Sequence, residues 1–306
     1  MAKHILGKIA DSLFIQNKKK GKVNEQKPNK NLKKSKKSAI SELKKKTGKN
    51  LKTKDIDNKN FIKTGISGFD ELFERGIPKG KTVLIAGGPG TGKTIFCLQM
   101  LANACGNGEK CIYLSLEESE QNLIEHMKDF GWNPEAWIKK GNLSIKRLNP
   151  YELSRSTEAL LAKAKGELVI ELESIPGMIP KGFKPDRIVV DSLTAMASAY
   201  SGKEDTYRIY MQQFFRLLEK TGANSFLIEE TDQMSTMLSK SGDEEFLADG
   251  VFVMYNIRQG DVRINAIEVL KLRGAKHNKK LVPFIIESGK GIIVYPDDEV
   301  YTSVEK

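Results

Sequence analysis

The sequence has few cysteines, no long apolar run and no arginine among its first 63 residues. Its three cysteines, Cys97, Cys105 and Cys111, are odd in number and lack CxxC spacing, which argues against a disulfide framework and against a zinc site. No apolar stretch has the length of a membrane span, so we expect a cytoplasmic protein with no transmembrane segment. The absence of an internal repeat argues against a tandem pair of domains.

Positive charge is concentrated at one end of the sequence. Residues 1–63 hold 20 lysines and 5 acidic residues, whereas the rest of the chain holds 30 basic and 34 acidic residues. We predict that residues 1–60 form a Lys-rich, disordered tail, because they contain too little apolar surface to offset the entropy lost on ordering. Residues 61–306 are predicted to form the folded domain.

The tail begins with a short amphipathic segment. Ile5, Ile9 and Leu13 recur every four positions and would share one face of a helix. The simplest interpretation of the lysines that follow is a solvated, solubilising extension. The alternative is contact with a nucleic acid, an anionic membrane surface or an acidic partner.

Short apolar runs alternate with amphipathic segments from about residue 61 onward. Near-continuous apolar strands separated by helices predict a parallel sheet that is covered on both faces. In the last third, strand-like segments follow one another with only short turns that contain glycine. We therefore predict an α/β fold with a mostly parallel sheet, flanked by helices and extended by C-terminal antiparallel strands. The apolar runs of the parallel part lie at 81–87, 110–118, 186–192 and 225–230.

The segment GGPGTGKT fits the phosphate-loop pattern G-x-x-x-x-G-K-[ST]. Its glycines let backbone N–H groups close around a phosphate without interference from a Cβ atom. In this pattern Lys93 reaches the β- and γ-phosphates, and the Thr94 hydroxyl holds Mg²⁺. The segment also follows an apolar run and precedes an amphipathic helix, which is the context that the pattern requires. The residues predicted to bind nucleotide are Gly87, Gly88, Pro89, Gly90, Thr91, Gly92, Lys93 and Thr94.

Acidic residues follow two other apolar runs. Asp191 ends the run RIVVD and is predicted to bind Mg²⁺, directly or through water, although an acid at this place can also simply cap a strand. Glu117 and Glu118 follow YLSL. Because strand residues alternate faces, we expect one of the two to point into the site and to act as general base on the attacking water. The alternative is charge that complements the N-terminus of the next helix, and the sequence does not decide between the two glutamates.

Lys271 and Arg273 stand two residues apart in the segment LKLRG. Residues two apart on a strand face the same way, so both cations can converge on one anion. A solvated strand face is the alternative.

These motifs together resemble the KaiC-type domain of the RecA-like ATPases. The phosphate loop, Glu117 with Glu118, VVDSLTA, TDQ and LKLRGAKH occur in the order of that family, over about residues 60–297. The likeness to the single-domain archaeal members is greatest. The resemblance implies a RecA-like P-loop core, ATP and Mg²⁺ as cofactors, and a homo-oligomeric, hexameric ring with nucleotide between subunits. It also implies that Lys271 and Arg273 reach the γ-phosphate bound to the neighbouring subunit, and that Thr231 and Gln233 sense that phosphate.

The expected function is an ATP-binding and hydrolysing oligomeric switch in regulation or signalling, with slow hydrolysis as a timer. Where the clock proteins of the family carry two phosphoacceptors, this sequence has Glu245 and Phe246, neither of which accepts a phosphoryl group, although Ser239 and Ser241 precede them. Three other functions remain open, one of them an autokinase whose acceptor would be Ser239 or Ser241. A DNA recombination or repair ATPase is favoured by the Lys-rich tail, which lacks interleaved aromatic residues. A nucleotide-gated scaffold would bind ATP without significant turnover.

Overall fold

The computed structural model describes residues 60–155, 178–231 and 243–300. The predicted tail up to residue 59, with its amphipathic start, lies outside these ranges, as do Gln233, Ser239 and Ser241. No helix within the described ranges is long and apolar enough to cross a membrane. The helices named below are α1 (Lys93–Gly106), α2 (Glu120–Asp129), α3 (Pro134–Lys140), α4 (Leu193–Ser198), α5 (Glu204–Thr221) and α6 (Asp243–Leu247).

Nine strands of the described ranges form one sheet, and two further strands form a small separate pair. The pair consists of β1 (Phe61–Ile62) and β2 (Ile77–Pro78). The strands of the large sheet are β3 (Thr82–Gly87), β4 (Cys111–Ser115), β5 (Leu143–Arg147), β6 (Arg187–Asp191), β7 (Asn224–Glu230), β8 (Gly250–Gln259), β9 (Val262–Leu272), β10 (Val282–Glu287) and β11 (Gly291–Val294).

The order across the large sheet is β11-β10-β9-β8-β3-β7-β6-β4-β5. The six strands from β8 to β5 run parallel, and β9, β10 and β11 are added antiparallel beside β8. This architecture confirms the predicted fold class, including the antiparallel extension at the C-terminal side. The sequence analysis missed β5, a strand at the sheet's edge in which buried Leu143 and Ile145 alternate with polar residues.

The sheet separates two apolar layers. On β3, Val83 and Ile85 pack with α1, α2 and α3 on one face, whereas Leu84 packs with α4 and α5 on the other. A strand that is covered on both faces buries the side chains of both faces, which is why the sequence of β3 is an uninterrupted apolar run. The two layers leave the ends of the parallel strands as the places where polar side chains can gather.

The carboxyl ends of the parallel strands meet along one edge of the sheet. β3 and β4 follow one another in the chain, but β7 and β6 lie between them in the sheet. β3 leads to β4 on one side of the sheet, whereas its neighbour β7 leads to β8 on the other side. In open α/β sheets a crevice forms between two neighbouring strands whose connections leave in opposite directions. The residues that follow β3, β4, β6 and β7 all reach this crevice.

Candidate active site

The phosphate loop connects β3 to α1. Gly92, the residue before α1, has a φ of 92°, a left-handed conformation that side chains with a Cβ atom rarely adopt. The buried Thr91 hydroxyl donates a hydrogen bond to the Gly88 carbonyl at 2.8 Å and closes the loop on itself. The first N–H groups of α1 have no partner within the helix, so this end of α1 favours a phosphate group.

Gly87 holds the loop close to β8. It pairs in register with Met254, and a Cβ atom at Gly87 would lie 2.3 Å from the Met254 carbonyl oxygen. No atom can occupy that space without moving one of the two strands. The first glycine of the motif is therefore required by strand packing as well as by the phosphate.

Lys93 extends inside the loop. Its ammonium group donates to two loop carbonyls, those of Gly87 and Gly88, each at 2.9 Å, and lies 3.9 Å from the Glu230 carboxylate. Burial lowers the pKa of Lys93, and the negative charges of Glu230, Asp191 and Glu117 oppose this shift. These carboxylates keep positive charge at the place where phosphate oxygens would bind.

Thr94 and Asp191 meet at the end of β6. The Thr94 hydroxyl donates to Asp191 Oδ2 at 2.9 Å, and the Tyr113 hydroxyl donates to the same oxygen at 2.5 Å. Burial raises the pKa of Asp191, and both hydrogen bonds act in the opposite direction. A hydroxyl and a carboxylate are hard oxygen donors of the kind that Mg²⁺ prefers, so these two residues fit the predicted metal ligands.

Glu117 and Glu118 take different directions after β4. The strand ends at Ser115, so the argument from alternating strand faces was wrong: the Ser115 hydroxyl instead accepts the N–H groups of Glu118 at 2.9 Å and Glu117 at 3.3 Å. Glu117 then accepts a hydrogen bond from the Ser192 hydroxyl, beside Asp191. Glu118 lies 3.5 Å from His126 of α2. The geometry thus separates two glutamates that the sequence left equivalent.

The end of β7 closes the crevice. The Thr231 N–H donates to the Gly87 carbonyl at 3.2 Å, and the Glu230 N–H donates to the Thr194 hydroxyl at 2.8 Å. Thr231, one of the two predicted γ-phosphate sensors, therefore lies against the phosphate loop. The other, Gln233, is outside the described residues.

Lys271 and Arg273 lie at the opposite edge of the sheet. Lys271 pairs with Val251 at the start of β8, and the start of β8 aligns with the start of β3. In this register Lys271 is level with Leu84, three residue steps or about 10 Å before the phosphate loop along the strand direction, and Arg273 lies two residues further away. The strand β8 also separates β9 from β3. Neither side chain can span that distance, so these cations do not contact the phosphate loop of their own subunit.

Both cations face the end of α6. The Lys271 ammonium donates to the carbonyls of Glu245 at 2.9 Å and Ala248 at 2.7 Å, and Arg273 donates to the Phe246 carbonyl at 3.0 Å. Burial and the nearby charge of Arg273 lower the pKa of Lys271. Arg273 is half exposed and lies 3.9 Å from Asp249. The two side chains thus face the same end of α6 and donate there to three separate carbonyls.

The sequence analysis missed Tyr113, Ser192, Thr194 and Glu230, each of which contacts a predicted site residue or the end of β7. Ser192 could have been found, because it is a hydroxyl directly after a predicted metal ligand. Tyr113 gave no such signal. It lies in the middle of an apolar run, and only the pairing of β4 with β6 brings it to Asp191.

A glycine loop between a strand and a helix, with an acidic strand end beside it, defines a P-loop nucleotide-binding protein built on a RecA-like sheet. The chain belongs to the KaiC family of ATPases: a family model described as "ATPase: KaiC" matches residues 62–299. Members of this family bind ATP.

Similar proteins agree with this assignment. The circadian clock oscillator protein KaiC of Thermostichus vulcanus is 33% identical over 235 residues, which are 76% of this chain and 43% of that protein. The circadian clock protein KaiC3 of Synechocystis sp. is 32% identical over 245 residues, which are 79% of this chain and 47% of that protein. The chain thus spans less than half the length of these curated relatives.

A solved structure is similar over its whole length. The crystal structure of a KaiC-like protein from the hyperthermophilic archaeon Pyrococcus horikoshii OT3 has a TM-score of 0.64 and 31% sequence identity with this chain. The match covers 77% of this chain and 99% of that one. The predicted resemblance to single-domain archaeal KaiC-like proteins is therefore confirmed.

Gly87→Ala is expected to destabilise the protein by about 1–3 kcal/mol, because the added methyl group overpacks the contact with β8. Gly106→Ala is the matched control. It adds the same methyl group at the end of α1, where a Cβ atom meets nothing within 4 Å. Thermal unfolding should show a lower Tm for Gly87→Ala and an unchanged or higher Tm for Gly106→Ala. Equal Tm values would contradict the close approach.

Proposed function

We propose that this chain hydrolyses ATP at the phosphate loop and assembles into a homo-oligomeric ring. The resemblance to KaiC-type ATPases implies a hexamer, and the ring would act as a switch in regulation or signalling. The observation that carries the proposal is the division of the site between two edges of the sheet. The loop, Thr94, Asp191 and Glu117 lie at the carboxyl edge, and Lys271 with Arg273 at the amino edge. One subunit therefore offers both halves of a site that two subunits would share.

The half-site at the carboxyl edge supports binding and attack. Backbone N–H groups of the loop and the Lys93 ammonium would hold the phosphates, and Thr94 with Asp191 would hold Mg²⁺. Mg²⁺, when bound, neutralises charge on the phosphate oxygens. Glu117 is the better candidate for the general base, because Ser192 fixes its carboxylate next to Asp191 whereas Glu118 is turned to His126.

The half-site at the amino edge supplies positive charge. Lys271 and Arg273 would approach the γ-phosphate of the neighbouring subunit and stabilise the negative charge of the transition state. Their present hydrogen-bond acceptors are three backbone carbonyls around the end of α6, and Asp249 lies 3.9 Å from Arg273. A phosphate would accept stronger, charge-assisted hydrogen bonds than these carbonyls do. Phe246, 76% exposed in α6, would be covered by such a neighbour.

The alternatives are tied to particular residues. The DNA recombination or repair function rests on lysines before residue 60, outside the described residues. The scaffold without turnover stays open until hydrolysis is measured. Autophosphorylation at the positions of Glu245 and Phe246 is not proposed, because neither side chain can accept a phosphoryl group.

Glu117→Gln should lower kcat for ATP hydrolysis by about 100- to 10,000-fold, the usual contribution of a general base, with nucleotide binding retained. Glu118→Gln removes the same charge one residue away and should have a much smaller effect. Steady-state phosphate release and nucleotide titration of both variants provide the measurement. A larger loss in Glu118→Gln would reverse the assignment of the base, and no loss in either variant would favour the scaffold.

Lys93→Ala and Arg273→Ala proteins should each lack ATPase activity, yet recover part of it when mixed, because some interfaces then join an intact loop to an intact arginine. The control mixture combines Lys93→Ala with the double variant Lys93→Ala/Arg273→Ala, in which no interface has an intact loop. Mixed assembly is verified by subunit exchange between labelled proteins. If exchanged mixtures of the single variants stay inactive, the role of Arg273 in the neighbouring site is wrong.

A further inference from the structure

Tyr113 is a buried polar residue at the site whose hydroxyl has no assigned role. It lies in the middle of β4, is fully buried, and belongs to the apolar layer beneath α1. A phenol hydroxyl is costly to bury without a partner, whereas a phenylalanine ring at the same place would bury equal apolar surface at no such cost. Its one acceptor here is Asp191, at 2.5 Å.

The hydrogen bond to Asp191 crosses between neighbouring strands. β4 and β6 are parallel, with Tyr113 opposite Val189 and Ser115 opposite Asp191. The Tyr113 hydroxyl therefore reaches a residue two positions further along β6 than its own register partner. The Tyr113 hydroxyl is the donor in this pair, because an ionised carboxylate only accepts hydrogen bonds.

Asp191 is held through one of its two oxygens. Oδ2 accepts both the Tyr113 hydroxyl, which belongs to β4, and the Thr94 hydroxyl, which belongs to α1. Among the residues that the structure describes, Oδ1 accepts no hydrogen bond. Two donors from two different elements restrain the orientation of the carboxylate through one of its oxygens.

We propose that Tyr113 is a positioning residue for the metal-binding step: its hydroxyl fixes the Asp191 carboxylate in the orientation that receives the divalent cation of a bound nucleotide. The inference rests on the proposed function, because it takes Mg²⁺–nucleotide as the ligand of the loop. Hydrogen bonds to a ligating carboxylate from outside the metal's own ligand set are known to tune metal affinity. Tyr113 does not contact nucleotide, so its effect should be confined to the metal-dependent part of binding.

Tyr113→Phe removes the hydroxyl and keeps the ring. Tyr210→Phe is the matched control, because Tyr210 is also fully buried and its hydroxyl has no hydrogen-bond partner among the residues that the structure describes. The full chain, wild type and both variants, is titrated with ADP by calorimetry, once in EDTA and once in saturating MgCl₂. The quantity compared is the dissociation constant in EDTA divided by the dissociation constant in MgCl₂. This ratio reports how much the metal strengthens ADP binding.

Tyr113→Phe should reduce this ratio by about 10-fold or more, the usual effect of losing such a hydrogen bond, while the dissociation constant in EDTA stays at the wild-type value. Tyr210→Phe should leave both quantities unchanged. Equal ratios in the two variants would overturn the inference. A loss of ADP affinity in EDTA that accounts for the whole effect would also overturn it, because it would show a packing role only.

A second variant guards against an indirect effect. In the Asp191→Asn background, Tyr113→Phe should cause no further fall in the ratio, because both changes act on the same carboxylate. Independent, additive losses would show that Tyr113 acts on binding by a route other than the Asp191 carboxylate.

Failure of the inference is also distinguishable from failure of the proposed function. If wild-type protein does not bind ADP at all, the proposed function fails; if it binds with metal dependence and Tyr113→Phe behaves as Tyr210→Phe does, only the role of Tyr113 is wrong.

Discussion

The hydrogen bond from the Thr94 hydroxyl to the Asp191 carboxylate joins two elements that are 97 residues apart in sequence. It ties the start of α1 to the end of β6, and it forms because both lie at the carboxyl edge of the same parallel sheet. The other polar contacts of the site are arranged around it. Lys93 extends into the loop on one side, and Ser192 holds Glu117 on the other. These contacts depend on β3, β7, β6 and β4 being consecutive in the sheet.

The direction of the parallel strands also explains why Lys271 and Arg273 do not reach the phosphate loop of the same chain. The carboxyl ends of the strands carry the phosphate loop and its acids, whereas Lys271 and Arg273 lie about 10 and 17 Å before the loop along the strand direction. The hairpin of β8 and β9 cannot bring them closer, because the start of β8 is fixed beside the start of β3. The proposed shared site between neighbouring subunits follows from this separation, and it gives each half-site a use. Assembly and turnover would then be coupled without any additional element.

The local parts of the fold and site could be predicted from the sequence. The phosphate loop is encoded in adjacent residues, and buried parallel strands read as apolar runs, so the loop, the fold class and the acidic strand end Asp191 were all recognisable. The predicted convergence of Lys271 and Arg273 on one anion stays a prediction, because their acceptors in this structure are separate carbonyls around the end of α6.

The remaining features depend on strand order, which apolar runs do not encode. Tyr113 reaches Asp191, and Ser192 reaches Glu117, over 78 and 75 residues. Both contacts require β4 and β6 to be neighbours. The sequence left the choice between Glu117 and Glu118 open for a different reason, because β4 ends at Ser115 and a serine-capped turn sets the directions of the two side chains. The edge strand β5 was missed because only one of its faces is apolar.

The central claim is that a nucleotide site of this chain is complete only where two subunits meet. The most direct measurement is the steady-state rate of ATP hydrolysis per subunit across a dilution series in which light scattering follows dissociation of the oligomer. The account predicts that the rate per subunit falls in proportion to the assembled fraction. A dissociated subunit that hydrolyses ATP as fast as an assembled one would contradict it.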